Sequence, residues 1–329
     1  MMGRFLLIRL SSLGDIIHTL PAFASLRNNF PEANLIWAVD AKGAEILKFV
    51  PGIDEIVVVG DKGWRQKIRK KNQTALDFQG LVKSGFIAFL SGAKKRVGFS
   101  RKNLKEPLAS LFYTDRPKEI FEDAHVISKN LRLLTKIGIR EEKYEFPLRL
   151  PEELMESVAD KLRGLGFDKK KKLILFNVGA SWETKRWFPD GWIATWERLK
   201  NNGLFPLLLW GNDEEKRTAQ TVSAATGISL APFLPVPEVM ALVKQSSLLV
   251  SGDTFALQVA CALKVPVVAI FGPTNPKRNG PFSPEDKTAF HEMECSLCYK
   301  RTCRTMECLN KITPDEVAAM ATEQLRKNA

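Results

Sequence analysis

An acidic side chain follows the first apolar segment of the chain, at a position where enzymes often place a proton acceptor. Residues 4–10 form an apolar run that predicts a buried β-strand, and Ser12, Gly14 and Asp15 come soon after it. Because ligands bind beyond the carboxyl ends of strands in α/β sheets, Asp15 could accept a proton from an attacking hydroxyl. The alternative is structural, since Ser12 or Asp15 could cap the helix predicted next. His18 is close enough in sequence to line the same site, although a histidine in the core or on the surface is the more common case.

A second polar group, in the other half of the chain, has the composition of a diphosphate site. Residues 173–178 predict another strand, Ser181 follows it, and Lys185 and Arg186 precede a helix that is predicted to start at Pro189. Hydroxyl groups and cations beside a helix N-terminus attract phosphates. The alternative is an exposed basic loop without a ligand.

Two further strand ends in the same half favour nucleotide binding. Glu214 and Glu215 follow the predicted strand at residues 204–210 and could bind ribose hydroxyls. Asp253 and Thr254 open a helix whose free backbone amides favour a phosphate. Each turn is a weak signal alone. Their occurrence at successive strand ends predicts a nucleotide site.

The basic charge of the chain predicts an anionic partner. The 329 residues include 49 lysines and arginines against 37 acidic residues, for a formal net charge of +12. Nucleic acid, an anionic membrane surface and a phosphorylated substrate all qualify, but no nucleic-acid-binding motif is present. A basic run at 64–71 could bind phosphates or carboxylates of a substrate, or it could be a solvated helix face. Its cations are Arg65, Lys67, Arg69, Lys70 and Lys71.

Several common enzyme motifs are missing from the sequence. There is no G-x-x-x-x-G-K-[ST] loop, which argues against a P-loop kinase or ATPase. The first strand is not followed by G-x-G-x-x-G, which weakens a dehydrogenase assignment. No Asp-x-Asp pair occurs, so one common metal-dependent way of holding a nucleotide sugar is absent.

Four cysteines lie close together near the C-terminus with the spacing C-x2-C-x4-C-x4-C. Cys295, Cys298, Cys303 and Cys308 could hold zinc, but common zinc ribbons use two well-separated C-x2-C pairs. We therefore expect free or disulfide-forming thiols and no metal. The low, clustered use of cysteine fits a reducing, cytoplasmic compartment.

The apolar segments are too short to cross a membrane. The longest, at 204–210 and 265–271, are far below the roughly 20 residues that a spanning helix needs. The start of the chain lacks an apolar core of signal-peptide length. Any membrane contact is therefore expected to be peripheral.

Strands and helices are predicted to alternate in both halves of the chain. Such alternation predicts an α/β fold with parallel sheets covered by helices. A junction at 149–172 separates the halves, and the predicted domains are 1–165 and 166–312. The last segment, 313–329, is predicted to be a helix that could pack back on the first domain. The predicted strands lie at 4–10, 35–39, 55–59, 75–78, 173–178, 204–210, 248–251 and 265–271.

Several motifs together resemble the ADP-heptose:lipopolysaccharide heptosyltransferase family. The resemblance spans nearly the whole chain, and its N-terminal motifs are the most specific. The run at 106–113 is more typical of the heptosyltransferase I branch than of its siblings. The other matching motifs are at 11–22, 79–84, 185–189, 252–254 and 272–274.

The resemblance implies a GT-B fold, with two Rossmann-like domains facing across a central cleft, and an inverting transfer without a metal or cofactor. Asp15 would be the general base. The donor would be bound by Ser181, Lys185, Glu214 or Glu215, Leu234, Asp253, Thr254 and Gln258. The acceptor would be bound by Ser12, Gly14, His18, Arg65, Lys67, Arg69, Lys70 and Arg116.

The implied reaction moves heptose from ADP-L-glycero-D-manno-heptose to a Kdo residue of Kdo2-lipid A, at the cytoplasmic face of the inner membrane. The alternative is heptosyltransferase II, or another family member with a different acceptor or donor sugar. One departure bears on the donor. The family usually continues Asp-Thr with Gly-Leu-Ser-His, whereas this chain has Phe255 to Gln258 there. Glutamine cannot carry the charge that a histidine can.

Overall fold

The computed structural model describes residues 3–70, 73–121, 123–140 and 144–327. The chain divides into two compact units, Met1–Arg149 and Leu150–Ala329. Each unit is built on one parallel β-sheet with its own apolar core. The predicted α/β class is therefore confirmed within each unit.

The sheet of the first unit has five parallel strands in the order β3-β2-β1-β4-β5. The central strands are almost wholly buried because helices cover both faces of the sheet. The strands are β1 (Arg4–Ile8), β2 (Asn34–Val39), β3 (Glu55–Val58), β4 (Gln73–Asp77) and β5 (Lys95–Val97). The helices are α1 (Leu13–Asn29), α2 (Ala41–Leu47), α3 (Trp64–Ile68), α4 (Val82–Leu90) and α5 (Val126–Leu134). Three 3₁₀ segments lie at Arg101–Asn103, Pro107–Phe112 and Thr135–Ile137.

The sheet of the second unit has six strands in the order β11-β10-β9-β6-β7-β8, all parallel. The strands are β6 (Lys172–Asn177), β7 (Leu204–Leu209), β8 (Ser229–Leu230), β9 (Leu248–Gly252), β10 (Val267–Ile270) and β11 (Lys287–Ala289). The longer helices are α6 (Glu152–Gly164), α7 (Pro189–Leu199), α8 (Asp213–Thr226), α9 (Val236–Gln245) and α10 (Phe255–Ala262). The remaining helices are α11 (Pro276–Asn279), α12 (Glu307–Asn310) and α13 (Pro314–Lys327), and a 3₁₀ segment lies at Glu183–Lys185.

Helix α6 belongs to the second unit, although it was predicted to lie in the first domain. It packs against α9, where Lys161 forms an ion pair with Glu238. The Gln245 side chain also donates a hydrogen bond to the Met155 carbonyl at 3.0 Å. The division therefore falls after Arg149 and not after residue 165.

The C-terminal helix α13 also packs within the second unit. It contacts α7 and β10, and Arg198 forms an ion pair with Asp315 at 2.5 Å. Gln324 donates a hydrogen bond to the Glu285 carbonyl at 2.6 Å. The packing of this helix on the first domain stays a prediction. None of the helices in the described part of the chain is long and apolar enough to cross a bilayer.

Candidate active site

Asp15 lies in the first turn of α1, directly beyond the carboxyl end of β1. Ser12 is the N-cap residue, and its backbone amide and hydroxyl donate to Asp15 Oδ2 at 3.3 and 3.0 Å. The helix cap that the sequence allowed is therefore present. The Asp15 side chain is still 36% exposed, so a ligand can reach its carboxylate.

Arg9, which was not among the predicted site residues, is the main partner of Asp15. Its guanidinium lies 2.6 Å from Asp15 Oδ2, and the Arg9 side chain is 9% exposed. It also donates to the Phe78 carbonyl at the end of β4. A cation inside an apolar run is costly to bury without a partner, and that anomaly was the available sequence signal.

The environment of Asp15 keeps its carboxyl group ionised. Burial would raise the pKa of Asp15, but nearby Arg9 and His18, with two hydrogen bonds from Ser12, together hold this pKa below its ordinary value. The group is therefore a carboxylate at neutral pH, as a proton acceptor must be.

His18 is a core residue of α1, only 3% exposed. Its ring packs edge-on against His125, with the ring centroids 5.6 Å apart. The Asn130 side chain donates to the His18 carbonyl at 3.0 Å and so ties α5 to α1. His18 therefore acts on Asp15 electrostatically from the core, and the structure does not present it as a surface contact.

The turn after β4 holds the loop that precedes Asp15. The Gln79 side chain accepts hydrogen bonds from the Leu10 and Ser11 amides at 2.9 and 3.2 Å. Asp77, fully buried, accepts from the Gln79 and Gly80 amides at 2.9 and 3.2 Å. The signature at 79–84 therefore has a positioning role.

The hydroxyl of Tyr113 donates to Asp77 Oδ2 at 2.7 Å, which connects the 106–113 run to the same turn. Burial raises the pKa of Asp77 and also that of Tyr113. Glu106, at the other end of the run, accepts from the Val82 amide at 2.7 Å and caps α4.

A cavity of about 120 Å³ opens at the carboxyl edge of this first sheet. Strand ends or the loops after them supply its lining, including Ser11, Asp40, Val59 and Gln79. Lys83 and Ser84 from α4 complete one side. The cavity thus shares Ser11 with the loop that leads to Asp15.

The predicted basic run lies on α3 and just beyond it. Arg65 is exposed and stacks on Trp64, with 5.1 Å from the guanidinium carbon to the ring centroid, and Lys67 is also exposed. Arg69 donates to the Leu90 carbonyl at 3.0 Å, at the end of α4. Lys70 is half-buried and Lys71 lies outside the described residues.

Arg69 lies at the opposite edge of the sheet from Asp15. Helix α4 starts at the carboxyl edge and ends at Leu90, where Gln73, the first residue of β4, donates to the Ser91 carbonyl at 2.9 Å. The structure therefore does not bring Arg69 to Asp15. Arg116, in contrast, directly follows Asp115, which forms an isolated parallel bridge with Val97 at the end of β5. Its side chain donates to the Ser110 carbonyl at 3.2 Å.

Lys185 in the second unit forms a largely buried ion pair with Asp253. Its ammonium lies 2.6 Å from Asp253 Oδ2, and the two side chains are 12% and 10% exposed. The ammonium also lies 4.3 Å from the centroid of the Trp182 ring. Gly252 permits this arrangement, because a Cβ atom there would lie 2.8 Å from the Lys185 carbonyl oxygen.

Asn177 links the end of β6 to the start of α10. Its side-chain amide donates to the Ser251 and Thr254 hydroxyls, each at 2.9 Å. Thr254 caps α10, whose first amides point towards the same strand ends. Ser181, on the loop after β6, is exposed. The structure thus gathers Lys185, Asp253 and Thr254 at the carboxyl edge of this second sheet.

The two predicted ribose ligands differ in their surroundings. Glu215 is 8% exposed and accepts from the Gly211 amide at 2.7 Å and from the Asn212 side chain at 2.8 Å. It also packs so closely on Gly179 that no Cβ atom would fit there. The Glu214 side chain is 62% exposed and forms an ion pair with Arg186 at 2.5 Å. Glu215 therefore holds the loop together, whereas Glu214 is open to a ligand.

The remaining predicted donor residues are buried. Leu234 is 8% exposed and follows β8. Gln258 is 3% exposed and donates to the Asn279 carbonyl at 2.8 Å, so it joins α10 to α11. This structural bond explains how glutamine is used at the position where the resemblance leads us to expect histidine.

The cysteine segment borders the Lys185 loop. The Thr184 hydroxyl donates to the Lys300 carbonyl at 2.7 Å, and Arg301 stacks on Trp182 at 5.2 Å. All five cysteines are free thiols. Within the described residues, no group of three or more His, Cys, Asp or Glu side chains has an arrangement that could hold a metal ion.

Comparison with known proteins identifies the family. The family model described as glycosyltransferase family 9 (heptosyltransferase) matches residues 63–309. The chain belongs to this family. It is therefore a glycosyltransferase, and the resemblance inferred from the motifs is confirmed.

Individual relatives of this family 9 enzyme match it over most of its length. Lipopolysaccharide heptosyltransferase 1 of Pseudomonas aeruginosa is 29% identical over 320 residues, covering 91% of this chain and 87% of the relative. The family 9 glycosyl transferase of Veillonella parvula superposes with a TM-score of 0.84 at 21% identity, covering 99% and 97% of the two chains. The Escherichia coli heptosyltransferase WaaC with ADP-2-deoxy-2-fluoro heptose gives a TM-score of 0.74 at 21% identity, covering 99% and 100%. The predicted GT-B fold class is confirmed.

Proposed function

We propose that this family 9 enzyme transfers heptose from ADP-heptose to a Kdo sugar of Kdo2-lipid A, with inversion at the anomeric carbon. The observation that carries the proposal is the Asp15 carboxylate, held ionised by Arg9 at the carboxyl edge of the first sheet. The names of the Pseudomonas and Escherichia coli relatives support a lipopolysaccharide acceptor and an ADP-heptose donor.

In the proposed reaction, Asp15 accepts the proton of an acceptor hydroxyl as its oxygen attacks the anomeric carbon. ADP leaves from the opposite face of the sugar. Lys185, Ser181 and the first amides of α10 bind the diphosphate and stabilise its developing charge. Glu214 binds the ribose, and Leu234 contacts the adenine. Arg65, Lys67 and Arg116 meet the anionic groups of the acceptor, while Ser12 and Gly14 border the attacking hydroxyl.

The direct test is incubation with ADP-heptose and Kdo2-lipid A, read by mass spectrometry for one added heptose. Asp15→Asn keeps a capping oxygen for α1 but removes the base, so turnover should fall by about 10²- to 10⁴-fold. ADP binding, measured by calorimetry, should be unchanged. An Asp15→Asn enzyme with near-normal turnover would refute the assignment of the base.

Lys185→Gln should weaken ADP binding by roughly 10- to 100-fold, because it removes a charge-assisted contact with the diphosphate. The substitution also leaves Asp253 as an unpaired, buried carboxylate. The Lys185→Gln/Asp253→Asn double variant removes that second effect. If ADP binds the double variant as tightly as it binds the wild type, Lys185 is not a phosphate ligand.

Heptosyltransferase II activity is the second candidate, because the resemblance covers the whole family. The 106–113 run supports the first candidate. A donor-by-acceptor assay with Kdo2-lipid A and its heptosylated product separates the two. Transfer only to the heptosylated acceptor would establish the second candidate.

A further inference from the structure

Helix α4 and the 3₁₀ segment at Pro107–Phe112 carry an apolar surface that faces solvent. Its large side chains are Phe86, Phe89, Leu108 and Leu111, which are 46%, 54%, 64% and 77% exposed. We call these four residues the phenylalanine patch. Soluble proteins seldom leave large apolar side chains grouped in this way without a use for them.

Packing between the two segments fixes the patch in place. A Cβ atom at Gly85 would lie 2.9 Å from the Phe112 ring and 3.2 Å from the Ala109 carbonyl, so the two backbones approach closely. The ring centroids of Phe86 and Phe89 lie 5.9 and 6.3 Å from that of Phe112. The helix buries Ile87 and Ala88 on its other side, which leaves both phenylalanines directed outward.

The segment that carries the patch is strongly basic. Residues 82–118 contain nine lysines and arginines and two acidic residues. One of the two acids, Glu106, already accepts the Val82 amide. An apolar centre with a basic surround complements an anionic bilayer, in which rings enter the interface and cations meet lipid headgroups.

We infer that the phenylalanine patch docks the enzyme on an anionic lipid bilayer. The first turn of α4 adjoins the cavity that contains Ser11, Lys83 and Ser84. Phe86, three residues beyond Lys83 on α4, is therefore the end of the patch nearest to that cavity and to the loop that leads to Asp15. The choice of a lipid partner rests on the proposed function, because an acceptor anchored in a membrane must be met at its surface.

The test uses the full-length enzyme and vesicles that contain no acceptor, so that docking is measured separately from transfer. Wild-type enzyme should co-sediment with phosphatidylglycerol/phosphatidylcholine vesicles and bind pure phosphatidylcholine at least about tenfold more weakly. Raising the salt concentration should weaken binding, because surface charges are screened. Wild-type enzyme that binds no anionic vesicles would overturn the inference.

Phe86→Ser/Phe89→Ser should lower vesicle affinity by about tenfold or more, since it removes two interfacial side chains. The matched control is Phe233→Ser, because Phe233 is 64% exposed but lies in the second unit, outside the patch. Circular dichroism verifies that each variant folds.

Lys94→Glu/Lys105→Glu tests the basic residues near the patch without altering the patch itself. It should also lower the affinity for anionic vesicles about tenfold.

Equal vesicle binding by the wild type and the Phe86→Ser/Phe89→Ser variant would overturn the inference. So would a wild-type dimer in solution that the same two substitutions dissociate, because the patch would then be a subunit interface. Transfer to an acceptor dispersed in detergent should survive the patch substitutions. If docking is lost while that transfer persists, both the docking inference and the proposed function are supported. If docking is found without any transfer, the proposed function alone fails.

Discussion

Arg9 determines how strongly Asp15 can act as a base at a given pH. Burial raises the pKa of Asp15, and the Arg9 guanidinium 2.6 Å away is the main group that lowers it. Arg9→Met removes this positive charge, so the pKa of Asp15 should rise. The acid limb of kcat/KM should then move to higher pH, with activity falling about tenfold per unit below the new pKa. A pH–rate profile of the transfer reaction measures this shift.

Arg9→Lys is the matched control at this residue, because it keeps the positive charge while losing the planar guanidinium. Its acid limb should stay closer to that of the wild type than the acid limb of Arg9→Met does. Identical profiles for the two variants would show that Arg9 acts through geometry alone. Thermal unfolding of both variants checks that losing the hydrogen bond to the Phe78 carbonyl leaves the fold intact.

At the scale of elements, the turn after β4 should make stability depend on pH. Burial raises the pKa of Asp77, so the folded protein binds this proton more tightly than the unfolded chain. That contribution to stability is fully present below the unfolded-state pKa and is lost as pH rises through the folded-state pKa. Asp77→Asn keeps an acceptor for the Gln79 and Gly80 amides but cannot ionise. The free energy of unfolding of Asp77→Asn, measured by urea denaturation, should therefore increase relative to that of the wild type as pH rises.

The exposed Asp61 supplies the comparison for that experiment. Asp61→Asn should track the wild type across the same pH range, since Asp61 lies on the surface. A constant difference between Asp77→Asn and the wild type at every pH would show that Asp77 does not couple to folding.

The same elements show how far sequence reasoning reaches. Long apolar runs such as β1, β6 and β9 were predictable, because strands buried on both faces must be apolar throughout. The edge strands β5, β8 and β11 have two or three residues each, too few for a pattern. The predicted site residues could be chosen from the sequence because they follow the ends of predicted strands. Contacts between Arg9 and Phe78, or between Gln79 and Leu10, join residues 69 positions apart and needed the fold.

At the scale of the whole molecule, the position of α6 predicts which fragment can fold alone. Residues 150–329 contain a complete six-stranded sheet, its core and the α6–α9 contact. This fragment should unfold cooperatively and bind ADP, but without Asp15 it should not transfer heptose. A fragment of 166–329 lacks α6. It therefore loses the buried side chains of Val158 and Leu162, exposes the surface that they cover, and leaves Glu238 without its partner Lys161. Burial of two aliphatic side chains is worth about 3–6 kcal/mol, so the shorter fragment should unfold at much lower urea concentration. Equal midpoints for the two fragments would mean that α6 is not part of the second folding unit.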